Sequence, residues 1–139
     1  NGVKAIALSV DKKYNKVNWS AVNYFAPKII KSLYKKKIPK GYFFNINFPS
    51  LSAELVNGCK VVSLGKRKPG SLITTNISNG KKIFMIPSER KILKEARPGE
   101  DEFELRKKYI TITIHNYNSL ILSEKENSKL KRILGKIIE

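Results

Sequence analysis

Cysteine and histidine each occur once in the 139 residues, and aspartate only twice, at Asp11 and Asp101. A single cysteine, Cys59, excludes a disulfide within the chain, and one histidine adds too few ligands for a Cys/His zinc site. A lone thiol fits a reducing compartment, so the expected location is the cytoplasm. No apolar run reaches the roughly 18 residues that a membrane-spanning helix requires. Arginine is also sparse, at 67, 90, 97, 106 and 132, yet 28 Lys+Arg against 11 Asp+Glu leave a formal net charge of +17. Such a surplus of cations is one mark of a polyanion-binding surface. It consists almost wholly of lysine, in a chain rich in Asn and Ile and poor in Ala and Arg, which is the residue usage of an AT-rich genome. Nucleic acid is therefore not the expected partner, and a basic nucleic-acid-binding fragment stands as the alternative.

What is present suffices for a core. Hydrophobic residues make up 41% of the chain, which excludes disorder throughout, and the length allows one small domain or a piece of a larger one. The chain opens Asn1-Gly2-Val3 almost directly into an apolar stretch, without the basic flank and cleavage site of a signal peptide. The expectation is that further residues preceded it.

Residues 3–10 form a short apolar run that predicts a strand covered on both faces, as in a parallel α/β sheet. Asn18 is a candidate N-cap for a helix from Trp19, whose apolar stripe recurs through Val22, Phe25, Ala26, Ile29, Ile30 and Leu33. Pro27 within it predicts a kink or two shorter helices, and Lys35-Lys36-Lys37 complement the negative end of the helix dipole. After the turn at Pro39-Lys40-Gly41, Tyr42 to Phe48 alternates as a strand with Tyr42, Phe44, Ile46 and Phe48 on one face. Ser50 or Ser52 is placed to cap a short helix ending at Asn57-Gly58, and Cys59 to Leu64 reads as another strand. Strand–helix–strand order with apolar runs predicts an α/β architecture.

Asn79-Gly80 between two β-prone runs, 72–77 and 82–86, is a hairpin signal. Long polar connections on both sides predict that it projects, and a lone hairpin is marginal in water, which points to oligomerisation. Residues 100–108 suit one or two helical turns, and Tyr109 to Ile114 a strand. Ser123 and Glu126 have capping-box spacing, so a last helix is expected near Glu124. Its apolar face is Leu130, Ile133, Leu134, Ile137 and Ile138.

A complete active site is not found by spacing. Glu100, Asp101, Glu102 and Glu104 crowd one turn and point in different directions, a poor metal cage and a good helix start. His115 has no identifiable partner for general base chemistry, Cys59 opens a buried strand, and no glycine-rich phosphate loop is present. Aromatic and basic residues do not interleave on one strand face as a single-strand platform requires.

The order of segments resembles the C-terminal half of the SurE family of stationary-phase survival nucleotidases. Gly2 to Ser9 resembles its GIPSIAxS strand, and Asn18-Trp19-Ser20-Ala21-Val22 its NWxxA segment. Pro39-Lys40-Gly41 with Asn45-Ile46-Asn47-Phe48-Pro49 resembles PxGxxLNVNxP, and Leu64-Gly65-Lys66-Arg67 resembles xLGRR. Gly99-Glu100-Asp101 leading into Tyr109 to Thr113 resembles GTDxxAxxxGYVSVTP. The departures lie at Ile114, His115 and Asn118, where the family has Pro-Leu and then Asp, and at Ile83, Phe84 and Met85, where paired tyrosines and a tryptophan are usual.

The resemblance implies a Rossmann-like, three-layer α/β fold with a projecting β-hairpin and a C-terminal helix. It implies a phosphatase dependent on a divalent metal (Mg or Mn) that acts on nucleoside 5′- or 3′-monophosphates, some members also on polyphosphate. The family's metal ligands, an Asp-Asp pair, a Ser and an Asn in Ser-Gly-x-Asn, lie upstream, so no metal ligand and no catalytic residue is carried onto this chain. Ser9, at the end of the first strand, is the one residue expected near substrate. The implied division is residues 1–64 as the remainder of the Rossmann-like domain, 65–122 as the hairpin and returning strand, and 123–139 as a helix exchangeable between subunits. The implied partners are a nucleoside monophosphate and further copies of the chain, as dimer or tetramer, through the hairpin 71–87 and the C-terminal helix, with no membrane. A non-catalytic oligomerising fragment is the remaining alternative.

Overall fold

A computed structural model describes residues 5–11, 16–65, 74–78, 81–85, 96–117 and 123–134. The chain divides into two units, one of residues 1–65 with 97–139 and one of residues 66–96.

The first unit is built on a four-stranded mixed sheet of order β1-β2-β6-β3. β1 (Ala5–Val10), α1 (Ser20–Lys35) and β2 (Tyr42–Phe48) form a strand–helix–strand unit, with β1 and β2 parallel. β3 (Cys59–Val61) lies at the far edge, parallel to β6 (Ile110–Asn116), and β6 runs antiparallel to β2. The sheet is thus α/β but not wholly parallel.

In-register neighbours share a face, so the pairing separates two kinds of residue. Phe44, Ile46 and Phe48 of β2 lie beside Ile114, Ile112 and Ile110 of β6 on an apolar face. Ala26, Ile29 and Leu33 of α1 and Leu130 and Leu134 of α3 (Glu124–Leu134) bury against it. The helical stripe and the β2 alternation expected from the sequence meet here. The opposite face carries Asn45 and Asn47 of β2 beside Thr113 and Thr111 of β6, with α2 (Asp101–Arg106) toward this side.

β1 departs from expectation. It holds the edge of the described sheet, and Ala5, Ala7, Leu8 and Ser9 are exposed, Leu8 by 43%. Ile6 and Val10 pack against the core while the other side chains stay in water, so β1 is covered in part on one face and not on both as a central strand would be. Of the two expectations for α1, two shorter helices are not found: one helix runs through Pro27. The proline costs only the bond to the carbonyl of Asn23 one turn earlier, and both residues face solvent.

α1 begins at Ser20, one residue later than expected, so Trp19 rather than Asn18 holds the N-cap position, and the Asn18 carboxamide, one residue before it, accepts the Ser20 N–H at 2.9 Å. The short helix near residue 52 is one 3-10 turn, Ala53–Leu55, and Ser20 Oγ rather than Ser50 or Ser52 accepts the Ala53 N–H, at 3.1 Å. The third strand is shorter than 59–64, because beyond Val61 only Ser63 bridges, to Glu100. β6 runs two residues past Ile114 and so contains His115. The α3 capping box forms as expected: Ser123 N donates to Glu126 Oε2 at 3.1 Å and Glu126 N to Ser123 Oγ at 3.3 Å.

At Gly41 the backbone has φ +89°, and a Cβ there would lie 2.6 Å from the Tyr117 ring. The turn into β2 therefore requires glycine on both counts.

The second unit contains the hairpin β4 (Thr74–Ser78) and β5 (Lys81–Met85), antiparallel with Ser78 opposite Lys81. Asn79 and Gly80, Ile86, the flanking loops, Asn118, and Ile137 with Ile138 lie outside the described residues.

Candidate functional site

Ligands of open α/β sheets bind beyond the carboxyl ends of the parallel strands, which here are the ends of β1 and β2. Ser9 is next to last in β1, exposed, and in register with Asn47. Asn47 is in register with Thr111, and Thr111 with Lys60. A polar row, Ser9–Asn47–Thr111–Lys60, thus crosses all four strands on one face. Past β1, the Asp11 N–H donates to the Phe48 carbonyl at 2.9 Å. The Asn18 N–H donates to Ser50 Oγ at 2.8 Å and Ala21 N–H to the Leu51 carbonyl at 3.3 Å. These bonds fasten the start of α1 to the loop after β2.

Within the row, Thr111 Oγ1 is buried and has no hydrogen-bond partner among the described residues. Lys60 pairs with Glu104 of α2 at 2.6 Å and lies 3.7 Å from the centre of the Tyr109 ring. The hydrogen bond from Lys60, with the Gly99 N–H bonded to the same carboxylate, holds Glu104 below the usual carboxylate range. The same bond raises Lys60.

The acidic cluster is occupied locally. Glu100 accepts the Arg97 N–H at 3.0 Å, and Asp101 Oδ1 accepts those of Gly65 and Glu102, each at 2.9 Å. Glu102 pairs with Arg106 at 2.6 Å, one helical turn on. These carboxylates organise the start of α2 and join the Leu64-Gly65 segment to Gly99-Glu100-Asp101, at the end of the sheet opposite Ser9.

His115 is buried, stacked on Phe43 at 5.1 Å between ring centroids, with Nε2 3.0 Å from Thr113 Oγ1. It is a packed side chain of the sheet. Burial pushes the Cys59 thiol up to about 12, so it is a poor nucleophile at neutral pH.

Among the described residues no group of three His, Cys, Asp or Glu side chains could hold a metal ion. The described residues alone do not fit the divalent metal that the resemblance implies, and no chemical step through it is derived from them. Among the described residues Ser9 has no nucleophile–base partner in its hydrogen bonds, and the structure places it exposed near the end of β1. The sequence reading named Glu104 but missed Lys60 and the pairing of the two, which lie 44 residues apart. It also missed the polar row, although Asn45/Asn47 and Thr111/Thr113 alternate with period two.

A family model, Survival protein SurE, matches residues 1–71. A protein named 5′-nucleotidase SurE from Syntrophobacter fumaroxidans is 28% identical over 116 residues, 83% of this chain and 46% of that protein. One of the same name from Bradyrhizobium diazoefficiens is 33% identical over 98 residues, 68% of this chain and 38% of its own. Among solved structures, the SurE protein from Aquifex aeolicus superposes with a TM-score of 0.63 at 24% identity, covering 96% of this chain and 53% of that one. The chain spans about half the length of the curated relatives it matches or less. It has the Rossmann-like SurE fold, and it belongs to the SurE family.

Proposed function

We propose that this chain forms the C-terminal part of a phosphatase that hydrolyses nucleoside 5′- or 3′-monophosphates, its share being completion of the sheet and oligomerisation. The carrying observation is the SurE match over residues 1–71 with relatives named 5′-nucleotidase, of which this chain spans about half or less. The exposed β1 edge supports the reading, since a strand with Leu8 and Ser9 in water suits an edge that receives another strand. A divalent cation, Mg²⁺ or Mn²⁺, would be held by residues outside this chain and would supply charge neutralisation at the phosphate. Ser9 would lie beside the substrate, at the carboxyl end of β1.

The hairpin 71–87 and the C-terminal helix would join copies into a dimer or tetramer. A two-stranded hairpin is marginal alone, and the hairpin falls in a unit of its own. The helix buries Leu130 and Leu134 against this chain's core, so its part in an oligomer would be exchange of that contact between copies. The cytoplasm would be the setting.

The test is phosphate release from nucleoside 5′- and 3′-monophosphates by the full-length protein, of verified intact mass, with Mg²⁺ and with Mn²⁺. Release that stops on chelation is expected. No release with any divalent cation overturns the proposal.

A further inference from the structure

The outward side of α1 has two neighbouring stripes. Trp19, Pro27, Ile30 and Tyr34 recur at spacings of eight, three and four residues, and all are exposed, Trp19 by 57% and Tyr34 by 76%. Lys28, Lys31 and Lys35 recur at three and four and are exposed beside them. Helical geometry sets such residues in rows along the axis, with Trp19 and Tyr34 about 22 Å apart. Lys28 Nζ lies 3.5 Å from the centre of the Tyr24 ring, so the aromatic ring helps hold the cation in its row. Between Asp11 and Glu54 the sequence has nine lysines and no acidic residue.

We propose that this face of α1 binds single-stranded nucleic acid, with the phosphates along the lysine row and bases against Trp19 and Tyr34. The proposal is independent of the nucleotidase reading. A single strand presents a charged edge and an aromatic edge side by side, as the helix does, and base–aromatic stacking is tolerant of sequence. A duplex hides its base faces and leaves the aromatic row without a partner. A second copy of this face would set lysine against lysine in a two-fold contact. An anionic bilayer favours an apolar stripe with cations on both flanks, whereas here the other flank, Val22, Ala26 and Leu33, packs toward the sheet. On this helix an aromatic-containing row and a basic row lie side by side.

The test titrates the full chain into fluorescein-labelled 12-nucleotide oligo(dT) and oligo(U), read by anisotropy, while emission of Trp19, the sole tryptophan, is followed with unlabelled oligonucleotide. Binding with quenched emission is expected, with affinity falling steeply as salt rises. The Lys28→Ala/Lys31→Ala/Lys35→Ala variant should lose at least tenfold in affinity and flatten the log–log salt slope by about 2, from about 0.7 per phosphate contact. A control triple on α3, Lys125→Ala/Lys129→Ala/Lys131→Ala, should lose about threefold or less. Trp19→Ala should weaken binding severalfold and Trp19→Phe by less. Equal losses in the two triples, unquenched Trp19 emission, or binding to phosphatidylglycerol vesicles but not to oligonucleotide each overturn the proposal.

Discussion

The backbone N–H of Asn18 donates to the Ser50 hydroxyl at 2.8 Å, across 32 residues of sequence. The same Asn18 turns its carboxamide to the Ser20 N–H, so one residue both starts α1 and holds it to the loop after β2. Asn18→Ala should lower stability by about 1 kcal/mol, the usual effect of removing a capping side chain. Asn18→Asp, which keeps the acceptor, should stay near wild type. The urea midpoint checks this, and an unchanged midpoint in the alanine variant contradicts it.

The core is sharply graded across the sheet. Ile112 is fully buried in β6, whereas Leu8 in β1, on the same face, is 43% exposed. Ile112→Ala should cost about 2–5 kcal/mol, since both transfer energy and packing are lost. Leu8→Ala should change stability by about 0.5 kcal/mol or less. A Leu8 effect as large as that of Ile112 means that β1 is covered in solution, for example by another strand.

Much of this gradient is legible in the sequence. Tyr42 to Phe48 alternates with period two, and β2 has those bounds and that buried face. Ser123 and Glu126 announce α3 through a bond between near neighbours, which local spacing can reveal. The exposure of β1 was not legible. An apolar run reads the same whether it is central or at an edge, because coverage is decided by what lies beside it. The candidate site divides likewise. Ser9 rests on resemblance alone, whereas the local roles of Glu100 to Glu104 follow from their crowding in one turn. Lys60 and Glu104 meet only through the β3–β6 pairing, a long-range fact that neither residue's surroundings encode.

Cys59 tests that pairing chemically. Its thiol opens β3 and burial pushes it up to about 12, so little thiolate exists at pH 8. Reaction with a disulfide reagent at pH 8 should be at least tenfold slower in the folded chain than in urea. Equal rates in the two states place the thiol in solvent.

The Lys60–Glu104 pair should leave its mark on the pH dependence of stability. Glu104 is held below its ordinary range by Lys60, so its contribution is present above the unfolded carboxylate value, about 4.3, and is lost as pH falls through the folded value. Lys60 is raised, so its contribution is complete below the unfolded amine value, about 10.4, and is lost as pH rises through the folded one. The pair therefore stabilises between about pH 5 and 10. The Glu104 side chain is 10% exposed and that of Lys60 42%, so solvent screens the ammonium and the acid side carries more of the effect. Glu104→Gln should lower the urea midpoint at pH 7, by about 1 kcal/mol in stability for a charge-assisted bond partly screened by water. The variant should also lose less stability than wild type from pH 5 to pH 3, so that the two curves converge in acid. Curves that run parallel from pH 3 to pH 9 show that the ion pair contributes nothing to the fold.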